Sequence, residues 1–301
     1  MLGRNASPLH GSMSTPLSLN VHGQLLSLAS PRVMGIINAT PDSYFAASRV
    51  PTESAVAERV GLLREQGADI LDIGAYSTRP GADDVSVQEE RARLAATLRV
   101  VRREWPEAIV SIDTFRAEVA KACVEEYGAD IVNDISGGLF DKRMLATVAA
   151  LRVPYIIMHL RGTLQTMHAP THYDDCATSV YRELAQRLAA CQAAGINDVV
   201  LDPGFGFSKS VDDNYRLLAA LKEFQRLGQP LLVGVSRKSM LWKPLGITPD
   251  EALPATTAVH ILALQAGTHI LRVHDVRTAR QAIEIWRRVE RAREPAEEQS
   301  I

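Results

Sequence analysis

The sequence has few cysteines, no long apolar run and almost no excess of charge, and each of these excludes a class of protein. Three cysteines without a CxxC pair cannot staple a small disulfide-rich domain, so we expect buried free thiols in a reducing compartment. No apolar stretch reaches transmembrane length, and residues 1–16 lack the apolar core of a secretory signal. The formal net charge of −2 gives no general attraction to nucleic acid or membranes. We therefore expect a cytoplasmic protein that holds any bound anion through a local cluster of cations.

Eight short apolar runs recur along the 301 residues and predict the strands of a sheet. They are nearly continuous in hydrophobicity rather than alternating, which is typical of parallel strands that are covered on both faces. The predicted strands are 33–37, 69–74, 109–113, 130–134, 154–159, 198–202, 230–236 and 269–273.

Helical patterns separate these runs. In the first, Val56, Val60 and Leu63 are spaced three to four residues apart and Gly67 supplies a C-terminal stop. Ser86 and Glu89 have the spacing of a capping box before a second helix, and a last helix is predicted over about 278–293.

Eight strands alternating with helices predict a (β/α)8 TIM barrel rather than an open doubly wound sheet. No GxGxxG motif follows an early strand, which weakens the dinucleotide-binding alternative further. Residues 17–29 alternate around a turn signal at Gly23 and predict an N-terminal β-hairpin that closes the bottom of the barrel. The predicted domain is thus 17–294, preceded by a flexible leader (1–16, with Met13 as an alternative start) and followed by a tail (295–301).

Arg272 interrupts the last apolar run, ILRV, and an unpaired guanidinium inside a barrel would cost several kcal/mol, roughly. We therefore expect an anion at the end of this strand. Polar residues also follow the other strands, and the C-terminal ends of barrel strands meet at one mouth where ligands bind. These residues are Asn38, Ser77–Thr78–Arg79, Asp113, Asn133, His159, Asp202, Ser236–Arg237–Lys238, Arg272 and His274.

The side chains expected at this mouth fall into two chemical groups. Carboxylate, amide and ammonium groups can bind a polar heteroaromatic ring edge-on, because a carboxylate accepts two parallel N–H bonds; these are Asp113, Asn133, Asp202 and Lys238. Arg79, Arg272 and His274 are expected to act as fixed positive donors to phosphate oxygens. Asn38 could add a neutral oxygen ligand to Mg²⁺. The residues predict a barrel enzyme acting on a ring compound that carries a phosphate or diphosphate.

Eight sequence blocks carry a family resemblance, and together they are highly specific. In order they are INATPDS (37–43), DIGAYSTRPGA (72–82), SIDT (111–114), NDISGG (133–138), MHLRGT (158–163), LDPGFGFSK (201–209), VSRKSM (235–240) and RVHDV (272–276). They resemble the signature blocks of the dihydropteroate synthase family, occur in family order and span roughly residues 31–286.

The resemblance implies a Mg²⁺-dependent transferase of folate biosynthesis, a family that is the target of sulfonamides. It would join 6-hydroxymethyl-7,8-dihydropterin diphosphate to p-aminobenzoate and release diphosphate and 7,8-dihydropteroate. The expected course is dissociative: diphosphate leaves first and the neutral aryl amine attacks late. Family members are commonly dimers, so a homodimer is expected on resemblance alone.

The resemblance also assigns residue roles. The pterin would be held by Asp113, Asn133, Met158, Asp202, Phe207 and Lys238. The diphosphate would be held by Asn38 through the metal, together with Arg79, Arg272 and His274. The p-aminobenzoate slot would be formed by Thr78, Pro80, Phe207, Lys238 and Ser239. The residues expected to carry the catalysis are Asp113, Asp202, Lys238 and Arg272.

The loop after the first barrel strand departs from the family pattern. The usual Phe-Ser-Asp-Gly-Gly is replaced by Tyr44, Phe45, Ala46, Ala47 and Ser48, so an acidic residue and two glycines are lost. Such a change could alter loop closure or p-aminobenzoate affinity. It keeps open a catalytically silent pterin-binding paralogue. A pterin-barrel methyltransferase acting on methyltetrahydrofolate is a second alternative, although it has no need of the STRPG and SRKS blocks.

Overall fold

The computed structural model describes residues 17–39, 52–76 and 85–293. The first described element is an antiparallel hairpin of β1 (Ser18–Val21) and β2 (Gln24–Ser27). The turn places His22 at φ 50° and Gly23 at φ 80°, and two left-handed residues in succession form the tight turn that suits a two-residue hairpin. The side chain of Asn20 accepts the N–H of Gly23 at 2.8 Å. The predicted hairpin is confirmed.

Eight further strands form a parallel sheet that curls into a barrel, which confirms the predicted (β/α)8 fold. The sheet order is β8-β7-β6-β5-β4-β3-β10-β9, and a parallel bridge between Leu201 and Leu231 joins its two edges. The strands are β3 (Arg32–Asn38), β4 (Ile70–Gly74), β5 (Ile109–Asp113), β6 (Ile131–Asp134), β7 (Tyr155–Met158), β8 (Val199–Asp202), β9 (Leu232–Val233) and β10 (Ile270–Val273).

Helices connect the strands around the outside of the barrel. The α-helices are α1 (Glu53–Glu65), α2 (Val87–Glu104), α3 (Ala117–Tyr127), α4 (Met144–Leu151), α5 (Cys176–Ala193), α6 (Val211–Ala219), α7 (Ser239–Trp242), α8 (Leu253–Gln265) and α9 (Val276–Arg293). Among the described residues, 3-10 helices cover Leu221–Leu227 and Asp250–Ala252. Within the described ranges, no helix combines the length and the apolar character that crossing a membrane requires.

The helix boundaries follow the sequence signals with two corrections. The hydroxyl of Ser86 caps α2 by accepting the N–H of Glu89 at 3.1 Å, but the Glu89 carboxylate accepts from Arg93 at 2.6 Å. The predicted capping box is therefore wrong in its second hydrogen bond. The Glu89 carboxylate pairs with Arg93, one turn later in the helix, instead of accepting the backbone N–H of Ser86. The last helix begins at Val276, two residues before the predicted start.

The barrel strands divide their side chains between two apolar layers. Outward residues such as Leu71, Val110 and Leu271 pack under the surrounding helices, where the main core lies. A second cluster fills the lower interior of the barrel, where strand residues pack against Leu19, Val21 and Leu28 of the hairpin segment. The strand residues in it include Met34, Ile70, Ile131, Ile156, Val200, Leu232 and Ile270. The hairpin therefore plugs the barrel bottom, as predicted.

The interior changes from apolar to polar one layer above this cluster. Because strand side chains alternate with a period of two, the residue two positions after an inward residue also points inward. Two positions beyond the apolar layer lie Asp72, Asn133, Met158, Asp202, Gly234 and Arg272. This polar layer sits near the C-terminal ends of the strands, where TIM barrels bind ligands.

Candidate active site

Arg272 lies at the centre of the polar layer. Its Nε donates to Asp72 at 2.6 Å and its Nη2 donates to Asp113 at 2.8 Å. Asp72 is fully buried and comes from the middle of β4, whereas Asp113 is the last residue of β5. Within the described part of the chain, no hydrogen bond uses Nη1 of Arg272, which leaves its N–H groups for a ligand.

Asn133 extends this cluster to the next strand. Its amide donates to both carboxylate oxygens of Asp72, at 3.3 and 3.2 Å, and its backbone pairs in register with Asp113. Burial raises the pKa of Asp113 to about 7; the Arg272 cation opposes this rise and the neighbouring Asp72 carboxylate reinforces it. Asp113 can therefore exchange a proton near neutral pH.

Asp202 ends β8, two strands beyond Asn133 in the barrel, and pairs in register with Met158 on β7. One of its oxygens accepts the N–H of Gly204 at 2.8 Å. Burial raises the pKa of Asp202, although Lys238 opposes the shift. Gly204 has φ 71°, and a Cβ there would overlap the carbonyl oxygen of His159, so only glycine fits this turn.

Lys238, in the segment after β9, reaches the loop that follows the neighbouring strand β8. Its ammonium donates to the carbonyl of Phe205 at 2.5 Å and lies 4.7 Å from the centre of the Phe207 ring. Burial lowers the pKa of Lys238 to about 8, although Asp202 opposes the shift. The half-buried ring of Phe207 stacks on His168 at 5.0 Å. Lys238 and Phe207 thus form one wall beside Asp202.

A second lysine, Lys209, is buried and holds the loop after β8 through hydrogen bonds. Lys209 donates to the carbonyls of Gly204 at 2.8 Å and Phe207 at 3.1 Å, and to Nδ1 of His159 at 3.1 Å. The other ring nitrogen of His159 lies 3.0 Å from a carboxylate oxygen of Glu183. Burial lowers the pKa of His159 to about 4, so the ring is neutral and can accept from the lysine. The chain of bonds fixes the loop that carries Phe207.

Three of the remaining predicted site residues lie around the rim of the barrel mouth. Asn38 ends β3, half-buried, in register with Gly74, which in turn pairs with Asp113. His274 follows β10, and Ser239 is the first residue of α7. The predicted residues of the STRPG block, Thr78, Arg79 and Pro80, lie outside the described residues, as does the altered segment 44–48.

Comparison with known proteins identifies the family of this site. A family model described as "Pterin binding enzyme" matches residues 34–274, which contain every described residue of the polar layer. The dihydropteroate synthase of Escherichia coli strain K12 is 38% identical over 271 residues, covering 89% of this chain and 95% of that protein. The chain belongs to the dihydropteroate synthase family. The fold and the transferase class predicted from the sequence blocks are confirmed.

Solved structures of the family support the same assignment. Xanthomonas albilineans dihydropteroate synthase with 4-aminobenzoic acid matches with a TM-score of 0.84 at 40% identity, covering 93% of this chain and 100% of that one. The same enzyme in complex with 7,8-dihydropteroate matches with a TM-score of 0.81 at 38% identity, with the same coverage. Both ligands are of the kind predicted from the sequence blocks.

Two expectations about charge at this family site need correction. Arg272 is expected from the sequence to find its anionic partner in a ligand, but Asp72 and Asp113 already pair with it. His274 is expected to be a fixed cation, but burial, together with the nearby cations of Arg272 and Arg59, lowers its pKa to about 4. His274 is therefore a neutral imidazole at neutral pH.

Asp72 and Lys209 belong to the site although the sequence pattern did not point to them. The predicted residues are those that follow each strand, whereas Asp72 lies inside β4. The alternation of Ile70 and Asp72 on one strand face could have revealed it, because Ile70 belongs to the apolar interior. Lys209 carried no comparable signal, since its partners are carbonyls and a histidine that only the folded loop brings together.

Proposed function

We propose that this chain joins 6-hydroxymethyl-7,8-dihydropterin diphosphate to p-aminobenzoate, releasing diphosphate and 7,8-dihydropteroate, through the residues at the barrel mouth. The observation that carries the residue assignment is the position of Arg272 between two carboxylates at the barrel mouth, with its Nη1 turned to no protein partner among the described residues. This arrangement offers a phosphate-binding cation beside carboxylates that can bind a ring.

The pterin would bind between the two sides of the mouth. Asp113 and Asn133 lie on adjacent strands in register, and Asp202 lies on β8, two strands beyond Asn133. A carboxylate can accept two parallel N–H bonds from the amidine-like edge of a pterin. The apolar faces of the ring would contact Met158 and Phe207, while Lys238 would donate to a ring acceptor.

The diphosphate would bind at the rim nearest Arg272. Arg272 supplies Nη1, which has no hydrogen-bond partner among the described residues, and His274 supplies a neutral ring N–H. Arg79 is proposed from the sequence block alone. A guanidinium is suited to phosphate oxygens because it presents several N–H donors in one plane. A bound diphosphate would also favour the protonated form of His274, because a nearby opposite charge stabilises the imidazolium.

Mg²⁺ is proposed to bind together with the diphosphate, through Asn38. The described residues contain no group of three or more His, Cys, Asp and Glu side chains arranged to hold a metal ion. A single amide oxygen at the rim still fits Mg²⁺, which keeps several waters and uses few protein oxygens plus substrate phosphates. When bound, Mg²⁺ would neutralise charge on the diphosphate.

The residues would favour a dissociative reaction. The bond between the pterin methylene and the diphosphate oxygen breaks, leaving positive charge that the ring shares and negative charge on the departing diphosphate. Asp113 and Asp202 would stabilise the first charge and Arg272 the second. A preorganised group of this kind contributes about 3–4 kcal/mol to transition-state stabilisation. The neutral amine of p-aminobenzoate then attacks the methylene and loses a proton to solvent.

The p-aminobenzoate slot is proposed beside Lys238. Phe207 and Ser239 would line it among the described residues, with Thr78 and Pro80 added from the sequence block. Helix α7 begins at Ser239 and has only four residues, so its dipole is small. We therefore propose that side-chain donors bind the carboxylate of p-aminobenzoate.

A homodimer and a cytoplasmic location are also proposed. Leu262 on α8 and Ile285 and Val289 on α9 are large exposed apolar side chains on two helices that pack together. An interface between copies would cover these side chains. The three cysteines are free and buried, as expected in a reducing compartment. Light scattering after size exclusion tests the dimer.

The decisive experiment is a two-substrate turnover assay with and without Mg²⁺, beside calorimetric binding of a pterin alone. We expect diphosphate release that requires p-aminobenzoate and is lost when the metal is chelated. Tight pterin binding with no diphosphate release would instead support the catalytically silent paralogue. The altered sequence of segment 44–48 is the reason to consider that alternative. Turnover that is unchanged by chelation would remove Mg²⁺ from the proposal.

A further inference from the structure

An ion pair joins the two loops that carry Lys238 and His274. Arg237, next to Lys238, donates from Nε and Nη2 to the two carboxylate oxygens of Asp275, each at 2.9 Å. Asp275 is next to His274 and directly precedes α9. We infer that the Arg237–Asp275 pair is a positioning device that holds Lys238 and His274 in their places at the barrel mouth. This inference rests on the roles proposed for those two residues.

The backbone at Arg237 supports this reading. Arg237 has φ 55°, a left-handed conformation that is unfavourable for a residue with a Cβ. Its N–H donates to the hydroxyl of Thr256 on α8 at 3.2 Å, and the N–H of Lys238 donates to the carbonyl of Val235 at 3.1 Å. Strain of this kind persists only where the surroundings fix the conformation, and it concentrates at functional sites.

The loop that carries His274 is also held by hydrogen bonds, next to the Arg237–Asp275 pair. The N–H of His274 donates to the hydroxyl of Ser236 at 3.3 Å, and its carbonyl accepts from Arg59 of α1 at 3.1 Å. Two adjacent residues of one loop, Ser236 and Arg237, therefore bind two adjacent residues of the other. The double connection restrains both rotation and sliding of the loops relative to each other.

The geometry of the Arg237–Asp275 pair indicates that it orients the two loops more than it stabilises the fold. Both side chains are about one quarter exposed, so a large contribution to folding is not expected. A two-pronged contact between a planar guanidinium and a carboxylate fixes direction as well as distance. Removing it should therefore move Lys238 and His274 more than it unfolds the barrel.

The test uses Arg237→Gln, Asp275→Asn and the double variant, with Asp250→Asn as the matched control. Asp250 contacts the same guanidinium at 3.3 Å, but its side chain is 97% exposed. We expect the KM for pterin diphosphate to rise about 10-fold or more in each single variant, since small misplacements in a site are costly. The double variant should show no further rise, because each change breaks the same contact. The control should stay within about 2-fold.

The pattern of kinetic change separates positioning from a purely structural role. A fall in kcat with KM unchanged, or additive effects in the double variant, would overturn the inference. Arg237→Lys retains the charge and should recover part of the lost affinity if the variants fold. Lys238→Met and His274→Gln are measured in parallel. If they also leave KM unchanged, the residue assignment fails and the inference with it; if only the pair variants leave KM unchanged, the inference alone fails.

Discussion

Arg272 and Asp72 are 200 residues apart in the chain and share a hydrogen bond of 2.6 Å inside the barrel. The carboxylate is fully buried and the guanidinium is 23% exposed at the mouth. The bond places a cation at the ligand-binding end of the barrel and holds it in one orientation. Each side chain neutralises the charge of the other, so removing either one leaves the other without its partner.

Asp72→Ala should lower the free energy of unfolding by about 1–3 kcal/mol, because it removes the acceptor of the buried Asn133 amide and of the Arg272 Nε. Urea denaturation measures the loss. Glu65→Gln is the control, since Glu65 pairs with Arg277 on the surface at 2.9 Å and should contribute less than about 1 kcal/mol. Equal effects of the two changes would contradict the importance of the buried pair.

Arg272→Lys should lower kcat/KM about 10²- to 10³-fold while the protein still unfolds cooperatively. A lysine keeps the charge but cannot bridge Asp72 and Asp113 and still offer donors to a phosphate. Steady-state kinetics and thermal melts check this. Arg277→Lys on the exposed face of α9 should have no effect, and a comparable loss there would point to a general disturbance.

Asp202→Asn should weaken pterin binding about 10-fold or more, since a hydrogen bond to a charged group contributes about 1.5–3 kcal/mol. The amide offers one acceptor where the pterin edge presents two donors, and Gly204 already occupies one oxygen of Asp202. Calorimetry with a pterin lacking diphosphate measures the change. Asp212→Asn, exposed on α6, is the control. Unchanged affinity would remove Asp202 from the pocket.

The pH profile of kcat/KM should rise through about pH 7 and fall above about pH 8. Asp113, with its pKa raised to about 7 by burial, must lose its proton to stabilise positive charge on the pterin. Lys238, with its pKa lowered to about 8 by burial, must keep its proton to donate to the ring. The Asp113→Asn variant should lose the rising limb of the profile. If the rising limb persists in this variant, it belongs to another group, such as the substrate phosphate.

Gly204→Ala should destabilise the protein by clearly more than Gly195→Ala. Both glycines have positive φ, 71° and 85°, so both changes carry a similar backbone cost of about 1–2 kcal/mol. Only at Gly204 would the new Cβ overlap the carbonyl of His159, whereas open space surrounds Gly195. Denaturant unfolding of both variants checks the difference. Equal losses would show that the loop relaxes without difficulty.

Much of the fold could be predicted from the sequence because its determinants are local. The eight apolar runs specify strands buried on both faces, and the alternation of residues 17–29 around Gly23 specifies the hairpin. The mouth was also predictable, since parallel barrel strands bring their C-terminal ends together. Sequence blocks in family order add the chemistry, because they carry the residue types that a pterin and a diphosphate require.

The tertiary structure alone decided how charges at the mouth are distributed. Asp72, Asp113 and Arg272 lie on strands β4, β5 and β10, and their pairing depends on strand register and barrel closure. Burial then set the proton occupancy of Asp113, Lys238 and His274, because desolvation depends on the surrounding atoms rather than on the residue type. The sequence determined which groups reach the mouth; only the folded barrel determined which of them carry charge and which are already paired.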